Sequence, residues 1–188
     1  MDEKMYSFYS LRKLAEVEYF MRGTGEFLDV YARLGLSPRS VPHRRIVSHL
    51  DHHRLLRHGF LAVHANNLTG SEARLLARRG IAVAVCPGSL DFFGFSTVGV
   101  RRLMSAGVEI LYGTDSLASN RDLNLFRELR LARTFWSVSP RSLIESVTRL
   151  PGARFWSGRA GRLVPGCFAD LLLISMRRRS SDAYADLL

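Results

Sequence analysis

Cysteine, lysine and long apolar runs are all scarce in this 188-residue chain, and each scarcity removes a class of protein. Only Cys86 and Cys167 occur, without Cys-x-x-Cys spacing, which argues against a disulfide scaffold or a cysteine-built zinc site and fits a reducing cytosol. No segment approaches the roughly 18 apolar residues of a membrane span. The opening Met-Asp-Glu-Lys lacks the basic and apolar regions of a signal peptide, so a cytoplasmic location without a membrane partner is expected. Internal repeats and low-complexity linkers are also missing, which leaves one domain with a sizeable core as the expectation.

Acidic residues are few. Asp and Glu number 17 against 27 Lys and Arg, giving a formal charge of +10, and 25 of those cations are arginine. A nucleic-acid binder shows a basic stripe interleaved with aromatics on one element. Here most arginines stand singly or in pairs, and the densest run is Arg177-Arg178-Arg179. They read as arginine-rich solvated faces. A salt-sensitive surface for anions or nucleic acid is the alternative.

With 47% hydrophobic and 23% charged residues, the chain has the balance of a folded protein. Residues 6–12 have the alternation of a short strand. Apolar spacing over 15–34, interrupted at Gly23-Thr-Gly25, predicts a helix, a break and a second helix. Another helix is expected around 49–58. From residue 60 the punctuation becomes regular. Strands are expected at 60–64, 81–85 and 108–112, with a Thr69-Gly-Ser-Glu72 capping box opening the first intervening helix and a second helix near 97–106. Helices from about 122 to 135, with Leu123, Phe126 and Leu129 on one face, and from Ser139-Pro140 to about 149 follow. This alternation predicts an α/β fold with a parallel sheet and right-handed crossovers. Residues 161–166 and 169–174 read instead as two strands around a turn, a small C-terminal β appendage.

In parallel α/β folds, functional groups collect at the carboxyl edge of the sheet. His64, Cys86 and Asp115 fall where the three expected strands end. An imidazole and a carboxylate at neighbouring strand ends can bind a divalent metal or polarise a water. The alternatives are a hydrogen-bonded structural histidine and a turn-capping aspartate. His43, His49, His52, His53 and His58 cluster separately. His49 and His53 have the i, i+4 spacing of an accidental metal site, although a solvated basic helix is the simpler reading.

Several segments together resemble the amidohydrolase superfamily. They are Val63-His-Ala-Asn-Asn-Leu68, Cys86-Pro-Gly-Ser89 with Phe92-Phe-Gly94, Ala106-Gly-Val108, Gly113-Thr-Asp-Ser-Leu-Ala-Ser-Asn120, and the closing Gly161-Arg-Leu-Val-Pro-Gly166 with Ala169-Asp-Leu171. The likeness runs over about residues 14–175. It is greatest to the branch of purine and related N-heterocycle deaminases and chlorohydrolases, the aminodeoxyfutalosine deaminase type included.

What the resemblance implies is a metal-dependent hydrolase on a (β/α)₈ barrel, with zinc or iron activating a water that attacks a purine-like ring and expels ammonia. His64 matches the metal ligand of the sixth barrel strand. Asp115 matches the eighth-strand aspartate, a metal ligand and catalytic proton shuttle. Ser116, Ser119 and Asn120 match the loop that shapes that aspartate's surroundings. Glu16 matches a substrate-contacting glutamate in one alignment, and a plain helix-surface carboxylate is its alternative. The family's first-strand His-x-His has no counterpart, and Lys13 or Tyr9 stands where the fifth-strand histidine belongs.

A (β/α)₈ barrel typically needs about 250 residues. The expectation is therefore the C-terminal half of a TIM-type barrel over 1–158, a β-sandwich return at 159–176 and a basic flexible tail at 177–188. Open barrel edges predict self-association. Three functions compete: a deaminase-like hydrolase incomplete as this chain, a non-catalytic module of the same fold, and an arginine-rich anion or nucleic-acid binder.

Overall fold

The computed structural model describes residues 15–37, 41–57, 59–175 and 181–188, with only the backbone of residues 15–17. The strand expected at 6–12, and with it Tyr9 and Lys13, lies outside the described residues, as does His58. The apolar spacing after them makes two helices, α1 (Ala15–Arg22) and α2 (Phe27–Arg33). Gly23 (φ +70°) and Gly25 (φ +98°) form the break between them. Helix α3 (Ile46–His52) starts earlier than the spacing predicts, and it stops earlier because Arg54 takes a left-handed φ of +56°.

A strand follows, β1 (Leu61–Val63), and then α4 (Gly70–Arg78). The capping box forms as the sequence predicts. Thr69 Oγ1 accepts from the Glu72 amide at 3.2 Å, and Glu72 Oε2 accepts from the Thr69 amide at 3.0 Å. Next come β2 (Ala82–Val85), the short α5 (Pro87–Phe92), α6 (Val98–Ser105) and β3 (Ile110–Tyr112). The strands are parallel in the order β1-β2-β3, with Val63 opposite Ala84 and Val85 opposite Tyr112. Helix α4 packs against α6, so the two crossovers lie side by side.

Central position explains the composition of β2. Ile81, Ala82, Val83 and Val85 are all essentially inaccessible, and a strand covered on both faces has no use for alternation. Leu76 of α4 with Val100 and Leu103 of α6 joins Ile81, Val83 and Val85 in one core cluster. Three helices follow β3: α7 (Leu125–Trp136), α8 (Pro140–Val147) and α9 (Arg149–Phe155). The buried face of α7 carries Glu128, Leu129, Ala132 and Trp136. Leu123, expected on that face, precedes the helix and is exposed. Helix α8 begins as predicted, with Ser139 Oγ accepting from the Ser142 amide and Pro140 in the first turn.

At the end of the chain the described backbone differs locally from the sequence pattern. Residues 159–175 run as turns and irregular backbone, without the two strands of the β appendage. A strand is stable only when paired, and these residues lie against no sheet edge among the described residues. Leu171, Leu172 and Leu173 consequently stand exposed. In the segment expected to be a flexible tail, Asp182 caps a short helix, α10 (Ala183–Leu187), which packs against α8.

Many arginines act as staples. Arg45 pairs with Glu72 at 2.6 Å, Arg79 with Asp51 at 2.7 Å and Arg154 with Glu109 at 2.8 Å, each joining distant segments. Among the described residues no helix is long and apolar enough to cross a membrane.

Candidate active site

Parallel pairing brings the three strand ends to one edge. The ladder runs one residue past the strands, with the His64 amide donating to Ala84 O at 2.8 Å and the Gly113 amide to Val85 O at 3.0 Å. Beyond it the chain turns sharply. His64 (φ +64°), Ala65 (φ +50°) and Asp115 (φ +57°) all take left-handed conformations without being glycine. Such residues cost free energy and persist where the surroundings fix them, typically at functional sites.

These turns aim His64 and Asp115 at each other. His64 Nε2 lies 3.7 Å from Asp115 Oδ2, with both side chains partly open to solvent. Ser89 Oγ, on α5, donates to the same carboxylate oxygen at 3.1 Å. Partial burial alone raises the Asp115 pKa. Hydrogen bonds from the Ser119 and Ser89 hydroxyls, the nearby His64 and the Ser116 amide more than reverse this, so the carboxyl sits below its ordinary value. Asp115 is therefore an anion at neutral pH, able to accept a proton from water or to ligate a cation.

Cys86, which follows β2, is a wall of this edge. Burial, followed by the charges of Asp115 and Glu128, pushes its thiol up to about 12, so it holds no nucleophilic thiolate at neutral pH.

Beneath the pair lies a polar network that the local sequence pattern does not reveal. Glu128, completely buried on α7, accepts from the Gly88 amide at 2.6 Å through Oε2 and from Asn120 Nδ2 at 2.7 Å through Oε1. Asn120 also donates to Thr114 O at 2.7 Å, beside Asp115. Only the Leu129, Ala132 and Trp136 spacing hints that Glu128 faces inward. A second clamp holds the loop after His64: Arg45 bonds both Glu72 and Asn67 O, the latter at 2.7 Å.

The other candidates lie elsewhere. Glu16 falls in α1, with its side chain outside the described residues. His49, on α3, and His53, which caps it, meet edge to face at 4.5 Å between ring centroids, with His52 5.1 Å from His53. Desolvation, then His53, His52 and Arg44, lowers the His49 pKa.

Among the described residues no group of three or more His, Cys, Asp or Glu side chains converges to hold a metal ion. His64 and Asp115 offer two donors, whereas a catalytic zinc uses about three protein ligands plus water. The described residues therefore do not fit a complete catalytic metal centre.

The amidohydrolase family profile matches residues 14–187. Over 157 residues the chain is 31% identical to a 5-methylthioadenosine/S-adenosylhomocysteine deaminase of Desulforudis audaxviator, covering 79% of this chain and 35% of that protein. The chain thus spans about a third of the length of the curated relatives it matches. Among solved structures it is similar to an adenosine deaminase from Xanthomonas campestris with bound zinc. That match has 28% identity and a TM-score of 0.58, covering 72% of this chain and 31% of that one. The aminofutalosine deaminase of Helicobacter pylori superposes with a TM-score of 0.69 at 20% identity, over 86% of this chain and 41% of that one, a likeness of fold.

Proposed function

The chain belongs to the amidohydrolase family, and from that premise we propose that it carries the proton-transfer part of a site that deaminates an adenosine-like N-heterocycle. The observation that supports this most is Asp115, held ionised 3.7 Å from His64 at the carboxyl edge of the sheet. In this reading water attacks the ring carbon bearing the amino group while Asp115 takes the water's proton. The C–N bond then breaks as Asp115 returns the proton to the departing nitrogen, so that ammonia leaves and the ring keeps the oxygen. His64 faces the same carboxylate oxygen and orients the water.

In this reading β1, β2 and β3 are the sixth to eighth strands of a (β/α)₈ barrel, and the irregular segment at 159–175 would pair as a β-sandwich return only against a sheet edge supplied by the rest of the protein. The zinc or iron expected of the family would take His64 and Asp115 as two ligands and need further donors from outside the described residues. Glu16 is the proposed substrate contact. The whole site is then incomplete in this chain.

Ammonia release from 5-methylthioadenosine in the presence of Zn²⁺ tests the proposal. The chain is assayed alone and after co-expression with the N-terminal remainder of the Desulforudis relative. Release by the co-expressed pair and its loss in D115N are expected. Undiminished release by the D115N pair would refute the role of Asp115. The second reading is a non-catalytic module of the same fold, which the two-donor set favours. It gains if the pair associates stably and releases no ammonia.

A further inference from the structure

Glu128 is a carboxylate where the packing asks for an apolar side chain. It is fully buried on the same face of α7 as Leu129, Ala132 and Trp136, and water does not reach it. A leucine there would avoid the desolvation of a charge. What the carboxylate does is join two loops. One oxygen takes the Gly88 amide at the start of α5, and the other takes Asn120 at the end of the loop after β3.

The polarity of the network is fixed throughout. Asn120 spends its amide hydrogens on Glu128 and Thr114 O, while its Oδ1 accepts from the Arg121 amide at 2.8 Å and from Arg127 at 3.1 Å. Each donor faces an acceptor, so the Asn120 amide cannot flip without losing bonds at both ends. Gly88 belongs to the same device. A Cβ on it would collide with Glu128 Oε1 and both polar atoms of the Asn120 amide, so the close approach demands glycine.

Both ends of this clamp adjoin the candidate site. Thr114 precedes Asp115, whose left-handed backbone must be held from outside. Gly88 precedes Ser89, whose hydroxyl donates to Asp115. We propose that Glu128 is the positioning residue of the site: by clamping the 113–120 loop, through Asn120, to the first turn of α5, it sets Asp115 opposite His64. This inference rests on reading His64 and Asp115 as the reacting pair, and Glu128 touches neither.

The test is E128Q in the intact chain, with L143V as a control in buried packing outside the network. Glutamine keeps the shape and turns one acceptor into a donor facing either the Gly88 amide or Asn120. In native-state NMR, E128Q is expected to move the His64 ring nitrogen resonances. It should also speed amide exchange over 113–120 by at least about tenfold, the equilibrium factor of one lost hydrogen bond to a charged group. L143V is expected to lower the melting temperature without either change. Should E128Q fail to fold, N120A removes the Thr114 tie and is read the same way. Lowered stability with His64 resonances and loop exchange unchanged would overturn the proposal and leave Glu128 a packing residue. These readouts need no turnover, so absence of ammonia release from the wild-type pair would sink the deaminase reading alone. Where the pair does turn over, a positioning role predicts a fall in kcat with KM preserved for E128Q, and equal rates would count against it.

Discussion

Gly88→Ala separates close packing from backbone conformation as the reason for a glycine. Gly88 does not have a left-handed φ, and it sits inside α5, where alanine by itself would stabilise the helix by about 1 kcal/mol. Against this, the new methyl group displaces Glu128 and Asn120. Two hydrogen bonds to a buried carboxylate are at stake, each worth about 1.5–3 kcal/mol. The difference is a net destabilisation of about 2–5 kcal/mol, and about 3 kcal/mol corresponds to a Tm lower by roughly 6–12 °C for a domain of this size. Gly107→Ala is the contrasting variant. Gly107 has a φ of +73° with open space where the methyl would go, so only backbone strain of roughly 1–2 kcal/mol applies. Urea and thermal unfolding of the two variants under identical conditions measure both costs. If G88A is no more destabilising than G107A, the Glu128–Asn120 clamp is not worth what its geometry implies.

Two further outcomes follow from the same structure. Asp115 has a folded pKa below its unfolded value, which is about 3.9. Its contribution to stability is present above that value and lost as the pH falls through the folded one. Urea midpoints between pH 6 and pH 2.5 should therefore drop more steeply for wild type than for D115N, and parallel curves would contradict the lowered pKa. The exposed Leu171, Leu172 and Leu173 predict concentration-dependent association in sedimentation velocity, reduced in the L171S/L172S/L173S triple variant. A wild-type chain that sediments as a monomer at all concentrations would dispose of that expectation.

Local signals and paired signals differ sharply in how well the sequence displays them. Strands β1, β2 and β3 are legible because each is a short apolar run closed off by glycine or polar residues, and the capping box at Thr69 and the start of α8 are legible because their bonds span three residues. Helices α5 and α9 are hidden by Pro87-Gly88 and Pro151-Gly152, pairs that locally spell a turn. Tertiary contact decides them: α5 packs on α7, and α9 on α8. The reverse happens at 161–174, where short apolar runs imitate strands but no sheet edge among the described residues is there to pair with them. Position along the chain was enough to place His64 and Asp115 at one edge. Glu128 stayed out of sight because its partners stand 8 and 40 residues away, and among Arg127 and Arg130 it resembles any solvated helix carboxylate.

The distribution of buried polarity bears on whether this edge reacts or merely persists. Six polar or charged residues are buried among those described, and four of them, Ser89, Ser119, Asn120 and Glu128, surround the Asp115 loop. Of the other two, Glu72 completes a helix cap and anchors Arg45, which holds the loop after His64, and Ser146 bonds back to Leu143 O within α8. A scaffold kept only for its shape gains little from such a concentration, because apolar replacements of similar volume are often neutral or stabilising. On the opposite side of the pair, His64 is fixed by its backbone bond to Ala84 O and by the Arg45 clamp on Asn67. The investment is therefore asymmetric, and it goes to the charge and orientation of one carboxylate. The proton acceptor of the proposed reading would need both of these properties, and a turn-capping aspartate would need neither an inward-facing glutamate nor a glycine to make room for it.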